Sequence, residues 1–401
     1  MQQHILIIGA GFAGVWSALS AARLLDQHAR HDVAVSVLAP QPELRIRPRF
    51  YESDVHALKA PVGELFEAVG VDFIQGSAQH IDVQGKSVSY VDAQGRRQQL
   101  NYDRLILAAG SNVARPDLPG LADHAFDVDQ LESAARLEQH LAGLASQPAS
   151  IARNTVVVAG GGFTGIETAT EMPARLRAVL GNETPVRVII VDRGQHVGAA
   201  LGQGITPSII AASEQCGVQW RVNTSVVGVD ANGVTLDNGE RIEADTVIWT
   251  VGVRANPLTE QIPGERDGQG RLRVDPHLKV IGQPHIYASG DVAWAAADDL
   301  GNHALMSCQH AIPLGRHSGN NAVADLLGVA PVVYRQPKYV TCLDLGDWGA
   351  AYSEGWEREL KLHGSEGKAL KRQINTEWIY PPAADRALAL AAADPLIPIV
   401  A

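Results

Sequence analysis

Gly9-Ala10-Gly11-Phe12-Ala13-Gly14 follows directly on the apolar run Ile5-Leu6-Ile7-Ile8 and opens a helix-like stretch. The same construction returns at Gly160-Gly161-Gly162-Phe163-Thr164-Gly165, behind Val156-Val157-Val158. Strand, glycine turn and helix in that order make a cradle for a pyrophosphate. The first glycine allows the tight turn, the second lets the phosphates approach the backbone, the third lets the helix pack on the strand, and the helix N-terminus supplies partial positive charge. One cradle serves one dinucleotide, so two cradles in one chain imply two.

Working outward, both halves repeat the same order, which is an internal repeat at domain scale. After the first loop come β-like runs at 33–38, 71–74 and 86–91, with turn chemistry at Asp92-Ala93-Gln94-Gly95, and the half closes on the buried run 102–111. After the second come a run at 186–191, hairpin signals at Asp230-Ala231-Asn232-Gly233 and Asp237-Asn238-Gly239, and a closing run at 244–252. Pro116, Pro119 and Gly120 mark the crossing between units, and Tyr287-Ala288-Ser289-Gly290-Asp291 reads as a return to the first. The expected organisation is α/β. A discontinuous domain, 1–118 with 275–325, holds one dinucleotide, a second, 119–274, holds the other, and a small mixed segment, 326–401, carries β-like runs at 331–334 and 339–343.

With 401 residues the chain is long enough for two or three cores. A net charge of −11 argues against a nucleic-acid partner, because polyanion binding relies on Lys and Arg displacing counterions. Cys216, Cys308 and Cys342 form no close pair, so neither a disulfide framework nor a metal site is expected, and a reducing, cytoplasmic setting fits. The apolar stretch 5–25 lacks a basic flank and carries glycines at cradle spacing. It reads as strand, turn and helix rather than a leader or anchor. No other stretch is long and charge-free enough to span a bilayer.

Two units, two closing strands and the Tyr-Ala-Ser-Gly-Asp return resemble the two-dinucleotide-binding, glutathione-reductase-like flavoproteins over residues 1 to about 325. Thr246-Val247-Ile248-Trp249-Thr250-Val251-Gly252-Val253-Arg254 and Phe163-Thr164-Gly165-Ile166-Glu167 are most similar to type II NADH dehydrogenases. That resemblance implies two Rossmann-like domains, FAD in the first and NADH in the second. FAD is then expected on Gly9, Gly11, Phe12, Ala13 and Gly14, with Ala78, Ala109, Gly110 and Gly290 lining it and Asp291 accepting hydrogen bonds from its ribityl chain. A carboxylate that ordinarily ends the second strand to hold the adenosine ribose is replaced here by Ala39-Pro40, with Glu43 nearby as a substitute. Arg45-Ile46-Arg47-Pro48-Arg49 is either a phosphate-approaching run or a solvated loop.

NADH is expected on Gly160, Gly162, Phe163, Thr164, Gly165 and Gly252, with Asp192 binding ribose hydroxyls and repelling the extra phosphate of NADP(H). Arg193 beside it leaves NADP(H) open. Glu167 is either an acid placed near nicotinamide and flavin or a carboxylate complementing its helix dipole. Ser307-Cys308-Gln309-His310 is expected to start a helix, with His310 as a packing or capping residue.

Disulfide reductases of this superfamily carry a cysteine pair after the first loop, and none lies there. Sulfide:quinone oxidoreductases require paired cysteines, for which only Cys308 and Cys342 remain. Type II NADH dehydrogenases pass electrons to a quinone through a site that includes a glutamine matched here by Gln309. The glutamine pair that follows is replaced by Pro313-Leu314. Glu167 and Gln309 are thus the expected catalytic residues of an FAD-dependent NADH dehydrogenase delivering electrons to a quinone-like acceptor. The alternatives are a reductase serving a ferredoxin- or rubredoxin-type carrier or a small metabolite, and a redox-dependent binding flavoprotein resembling apoptosis-inducing factor. Leu370, Ile374 and Trp378 lie at helical spacing beside Lys368, Lys371 and Arg372, a stripe suited to packing on the flavin domain or to peripheral contact with a membrane's inner face.

Overall fold

Two parallel sheets carry the two glycine loops in a computed structural model that describes residues 2–398. In the first unit, β1 (Gln3–Ile8) runs into α1 (Phe12–Gln27), followed by β2 (Val33–Ala39), β3 (Asp72–Asp82), β4 (Ser87–Asp92), β5 (Arg97–Asn101) and β6 (Arg104–Leu107). In the second, β7 (Thr155–Ala159) runs into α2 (Phe163–Leu180), followed by β8 (Arg187–Val191), β9 (Val218–Arg221) and β10 (Thr246–Trp249). The chain then gives β11 (Ile286–Ala288), α3 (Cys308–Leu327), the strands β12 (Val340–Asp344), β13 (Ala350–Glu354) and β14 (Glu359–Leu362), and α4 (Gly364–Gln373).

The larger sheet has the order β11-β6-β1-β2-β3-β4-β5. Its first five strands are parallel, and β4 and β5 add an antiparallel meander through the turn at Asp92 to Gly95. β11 therefore does return to the first unit, pairing Ile286 with Leu105. The second sheet has the order β9-β8-β7-β10, again parallel. Both hairpin signals of the second half form turns of a small antiparallel sheet. Ile5, Leu6, Ile7, Val156, Val157 and Val158 are fully buried, as strands covered on both faces must be. Each such aliphatic contributes about 1.5–3 kcal/mol by leaving water.

α3 lies against α1, and glycines set the distance. A Cβ on Gly315 would overlap the Ala13 carbonyl, and one on Gly319 the Ser17 carbonyl. Ser17 and Ser318 hydroxyls meet across this contact at 2.9 Å. The close approach brings the start of α3 beside the first glycine loop. Pro313 sits inside α3, and its carbonyl meets His317 Nδ1 at 2.8 Å.

One expectation fails. Residues 331–334 form no strand, because their backbone is claimed elsewhere: the Val332 amide donates to Asn321 Oδ1 and the Tyr334 amide to the Pro276 carbonyl. On α4 and the π-helical turn Ile374–Trp378 that extends it, the buried positions are Gly367, Lys371, Asn375 and Ile379. The expected stripe of Leu370, Ile374 and Trp378 is partly or fully exposed, with Trp378 at 55%. A glycine at 367 permits this, since a Cβ there would overlap the Ala350 carbonyl of β13. No helix among the described residues is long and apolar enough to cross a membrane.

Candidate functional site

Both glycine loops have the shape that a phosphate cradle demands. Gly9 and Gly160 turn at φ of 109° and 107°, a region closed to residues with a Cβ. A Cβ on Gly14 would overlap the Gly9 carbonyl, and one on Gly165 the Gly160 carbonyl, so these third glycines seat the helix on the turn. The middle glycines differ. Around the Cβ position of Gly11 and of Gly162 no atom lies within 4 Å, and neither helix that follows has a side-chain cap. Two open helix N-termini with free backbone approach are therefore ready for anionic ligands, and the residues fit the pyrophosphates of two dinucleotides.

Around the first cradle, Phe12 and Ala13 open α1, and Ala13 meets Gly290, where a Cβ would lie 2.7 Å from the Ala13 Cβ. This contact places Asp291 next to the loop. Its Oδ2 accepts from the Ser111 hydroxyl at 2.6 Å and from Arg47 Nη1 at 3.3 Å, while Arg47 also pairs with Asp129. Asp291 is thus one corner of a polar network. Ala109 and Gly110 precede Ser111, and their carbonyls receive Asn256, from Nδ2 at 3.4 Å and from the amide at 2.9 Å. Ala78 lies within β3, opposite Tyr90 of β4.

The arginine run is neither a solvated loop nor free. Arg45 pairs with Glu43 and Glu132, and Arg49 pairs with Glu52. Glu43 is itself committed to Lys59 at 2.9 Å and Arg45 at 3.1 Å. Around the end of β2 it is Gln41 and Gln75 that line a small hollow, with Gln75 Nε2 donating to the Pro40 carbonyl at 3.0 Å. A larger cavity of about 670 Å³, lined by Asp127, Asp129, Arg136 and His140 among others, includes neither glycine loop.

At the second cradle, Asp192 leaves the end of β8 and accepts from the Gly161 and Gly194 amides, both at 2.7 Å. Thr164 is exposed at the mouth of the loop and Phe163 half-buried. Gly252 follows β10, and its carbonyl accepts from the Ala114 amide at 3.1 Å, tying the two units together.

Glu167, in the second turn of α2, points away from the loop into the third segment. It meets Lys371 Nζ at 2.8 Å and the Asp344 amide at 3.1 Å, and the two charged side chains are only 10% and 9% exposed. Burial pushes the Glu167 carboxyl above its ordinary value, only partly offset by Lys371. Burial opposes the charge on Lys371, but Glu167, Cys342 and Asp344 outweigh it and hold the ammonium above its ordinary value. Lys368 adds a bond of 2.5 Å to Asp344. The helix-dipole reading of Glu167 is thereby replaced by a buried ion pair between segments. Tyr51 is buried nearby with no partner for its hydroxyl, and burial together with the Glu167 and Asp344 charges raises its phenol.

α3 does begin at Cys308, capped by Ser307, whose hydroxyl accepts from the His310 amide. His310 is fully buried, its Nδ1 3.1 Å from that hydroxyl, and burial pulls it down to about 4, which suits packing rather than proton transfer at neutral pH. Gln309 braces β12: its Nε2 donates to the Val340 carbonyl at 2.9 Å and its Oε1 accepts from the Val340 amide at 3.4 Å. Burial raises the Cys308 thiol to about 11 and the Cys342 thiol to about 12, so neither is a ready nucleophile. Tyr51 and Asp129 escaped the sequence reading, and Lys371 and Arg47, both inside stretches it marked, take ion-pair roles it did not foresee. For Lys371 the one signal was its four-residue spacing from Gly367 and Asn375.

A family model described as pyridine nucleotide-disulphide oxidoreductase matches residues 3–315. An NADH dehydrogenase-like protein of Mycobacterium tuberculosis is 46% identical over 399 residues, covering 98% of each chain. A demethylphylloquinone reductase of Synechocystis is 30% identical over 359 residues, covering 87% of this chain and 86% of its own. The fold is similar to that of NDH2 from Plasmodium falciparum, solved with NADH, at a TM-score of 0.79 and 14% identity, over 98% of each chain.

Proposed function

Because the chain belongs to the pyridine nucleotide-disulphide oxidoreductase family, and within it is similar to NADH dehydrogenase-like proteins, we propose that it oxidises NADH and passes the electrons to a quinone. When bound, FAD supplies the centre that takes hydride from NADH and gives two electrons onward. The chain's own residues do the rest. Gly9, Gly11, Gly14 and the N-terminus of α1 hold the flavin dinucleotide, and Asp291, fixed by Ser111 and Arg47, holds its sugar chain. Gly160, Gly162, Gly165 and Asp192 hold NADH.

The observation that carries the quinone reading is the buried Glu167–Lys371 pair. A quinone that takes two electrons also takes two protons. The pair carries one proton, on Lys371, hydrogen-bonded to a carboxylate whose own affinity for a proton is increased by burial, so it is suited to relaying protons one at a time rather than to storing two. Lys371 Nζ also donates to the Cys342 carbonyl of β12 at 3.0 Å, which ties the pair to the strand beside the start of α3. Gln309 contributes at this end by fixing β12, the strand that presents Asp344 to Glu167. The relative from Synechocystis is named for a quinone substrate, in keeping with this reading.

Reoxidation tests it. Protein reduced anaerobically by NADH is mixed with a short-chain naphthoquinone, a short-chain benzoquinone, a ferredoxin or a rubredoxin. Return of the yellow colour within the turnover time is expected for a quinone and not for the carrier proteins. Fast reoxidation by a carrier protein alone would overturn the quinone assignment.

A further inference from the structure

The β-hairpin formed by β13 and β14 turns at Gly355–Arg358, and from this turn Arg358 reaches Phe163 of the second cradle. The Gly355 amide donates to the Tyr339 carbonyl at 2.8 Å and the Arg358 amide to the Gly355 carbonyl at 3.0 Å, which fixes the turn. The Arg358 backbone presses on Gly204, where a Cβ would overlap its carbonyl. The guanidinium is held in an aromatic slot, 5.6 Å from the Phe163 ring and 5.8 Å from the Tyr339 ring, with Trp356 stacked on Tyr339 at 4.5 Å. Its Nη1 donates to the Leu201 carbonyl at 3.1 Å. Phe163 belongs to the loop after β7, and Leu201 to the segment after β8. In a parallel sheet a dinucleotide lies across those two strand ends, so Arg358 bridges the crevice that NADH would occupy.

Two features show that the arginine is not there to stabilise the hairpin. It is half-buried, yet no carboxylate pairs with it among the described residues, and its Nε has no hydrogen-bond partner. A cation withdrawn from water without a counter-charge is costly unless an anion arrives. The residue also sits at φ 53°, a left-handed position where glycine is favoured and an arginine carries strain.

We propose that Arg358, delivered by the third segment, clamps a phosphate of the nicotinamide nucleotide bound at the second glycine loop. This rests on the reading that NADH binds there. The clamp makes the nucleotide bridge two segments of the fold, and the aromatic slot orients the guanidinium before the nucleotide arrives, which lowers the ordering cost of binding.

The test compares wild type with R358Q, R358K and R358G, using NADH, NADPH and N-benzyl-1,4-dihydronicotinamide, a hydride donor without phosphate. For R358Q the KM for NADH should rise about 10- to 100-fold, the loss expected for a charge-assisted hydrogen bond. kcat and the rate with the benzyl donor should stay unchanged. R358K should recover part of the affinity as a point charge. R358G should show the same rise in KM with an unchanged or higher Tm, because glycine relaxes the left-handed backbone. A loss with NADH assigns the contact to the pyrophosphate, and a loss confined to NADPH assigns it to the 2′-phosphate. An unchanged KM for both nucleotides, or an equal fall with the benzyl donor, overturns the proposal. Wild-type flavin that neither nucleotide reduces would overturn the NADH reading as well, a failure distinct from equal KM values in wild type and variant.

Discussion

Gly11→Val should yield a folded but colourless protein, whereas Gly162→Val should stay yellow and lose its response to NADH. Both glycines have φ values open to any residue, −75° and −80°, and no protein atom lies within 4 Å of the Cβ position. A Cβ there meets nothing of the described residues beyond its chain neighbours, so the added side chain takes up space at the mouth of the cradle. The expected loss is more than about 100-fold in affinity for the ligand of the altered loop, the scale of several kcal/mol of steric conflict. Gly162→Val should keep the wild-type Tm because its flavin remains bound. Gly11→Val should melt lower by the linkage contribution of the missing flavin. Flavin content, Tm and the NADH concentration needed to bleach the flavin separate the outcomes. If either variant lost both ligands equally, the assignment of one dinucleotide to each loop would be wrong.

Lys371→Met is expected to be the most destabilising single change at the proposed acceptor end, by about 3–5 kcal/mol at neutral pH, the range for a buried ion pair deprived of one partner. Methionine fills the volume but leaves Glu167 charged in a site where both side chains are nine-tenths hidden. The pH dependence has a definite sign. Glu167 has a folded value raised above that of the unfolded chain, so its contribution is fully present in acid and is lost as pH rises through the folded value. The variant should therefore be closest to wild type in acid and fall behind toward neutrality. In wild type the Lys371 contribution runs the other way in position. It is intact below the ordinary lysine value and is lost as pH rises from there through the raised folded value, in strong alkali. Glu167→Gln with Lys371→Met should recover most of the stability while leaving acceptor reduction slow. Chemical denaturation of wild type and the two variants between acid and neutral pH tests this, and a single variant within about 1 kcal/mol of wild type at neutral pH would contradict the burial of the pair.

What could be read from the chain beforehand was what is local. Gly9 to Gly14 and Gly160 to Gly165 declare themselves within six residues, because backbone sterics and phosphate approach fix the spacing. The hairpins at Asp92, Asp230 and Asp237 are likewise set by turn chemistry, and Ser307 marks the start of α3. What could not be read depends on residues distant in sequence. Glu167 and Lys371 are 204 positions apart, and nothing at either position names the other. The apolar stripe on 370–378 did not locate Lys371, because the side of α4 turned to the fold carries Gly367, Lys371 and Asn375 and meets Glu167. Apolar periodicity alone finds the side that avoids water, not the side that carries a paired charge. The β-like run at 331–334 was overridden by tertiary hydrogen bonds that its amides donate to Asn321 Oδ1 and the Pro276 carbonyl. Arg45, Arg47 and Arg49 offered a choice between phosphate and solvent, and the fold supplied distant carboxylates, Glu132 and Asp129, for the first two, while Arg49 pairs with Glu52 three residues on.

The most direct measurement is an anaerobic titration of the purified yellow protein with NADH, following flavin absorbance. Loss of the oxidised-flavin colour at one NADH per bound FAD is the predicted result, since one dinucleotide in each cradle permits a single two-electron transfer between them. Protein that stays colourless after reconstitution with FAD, or a flavin that NADH leaves fully oxidised, would contradict the account at its root.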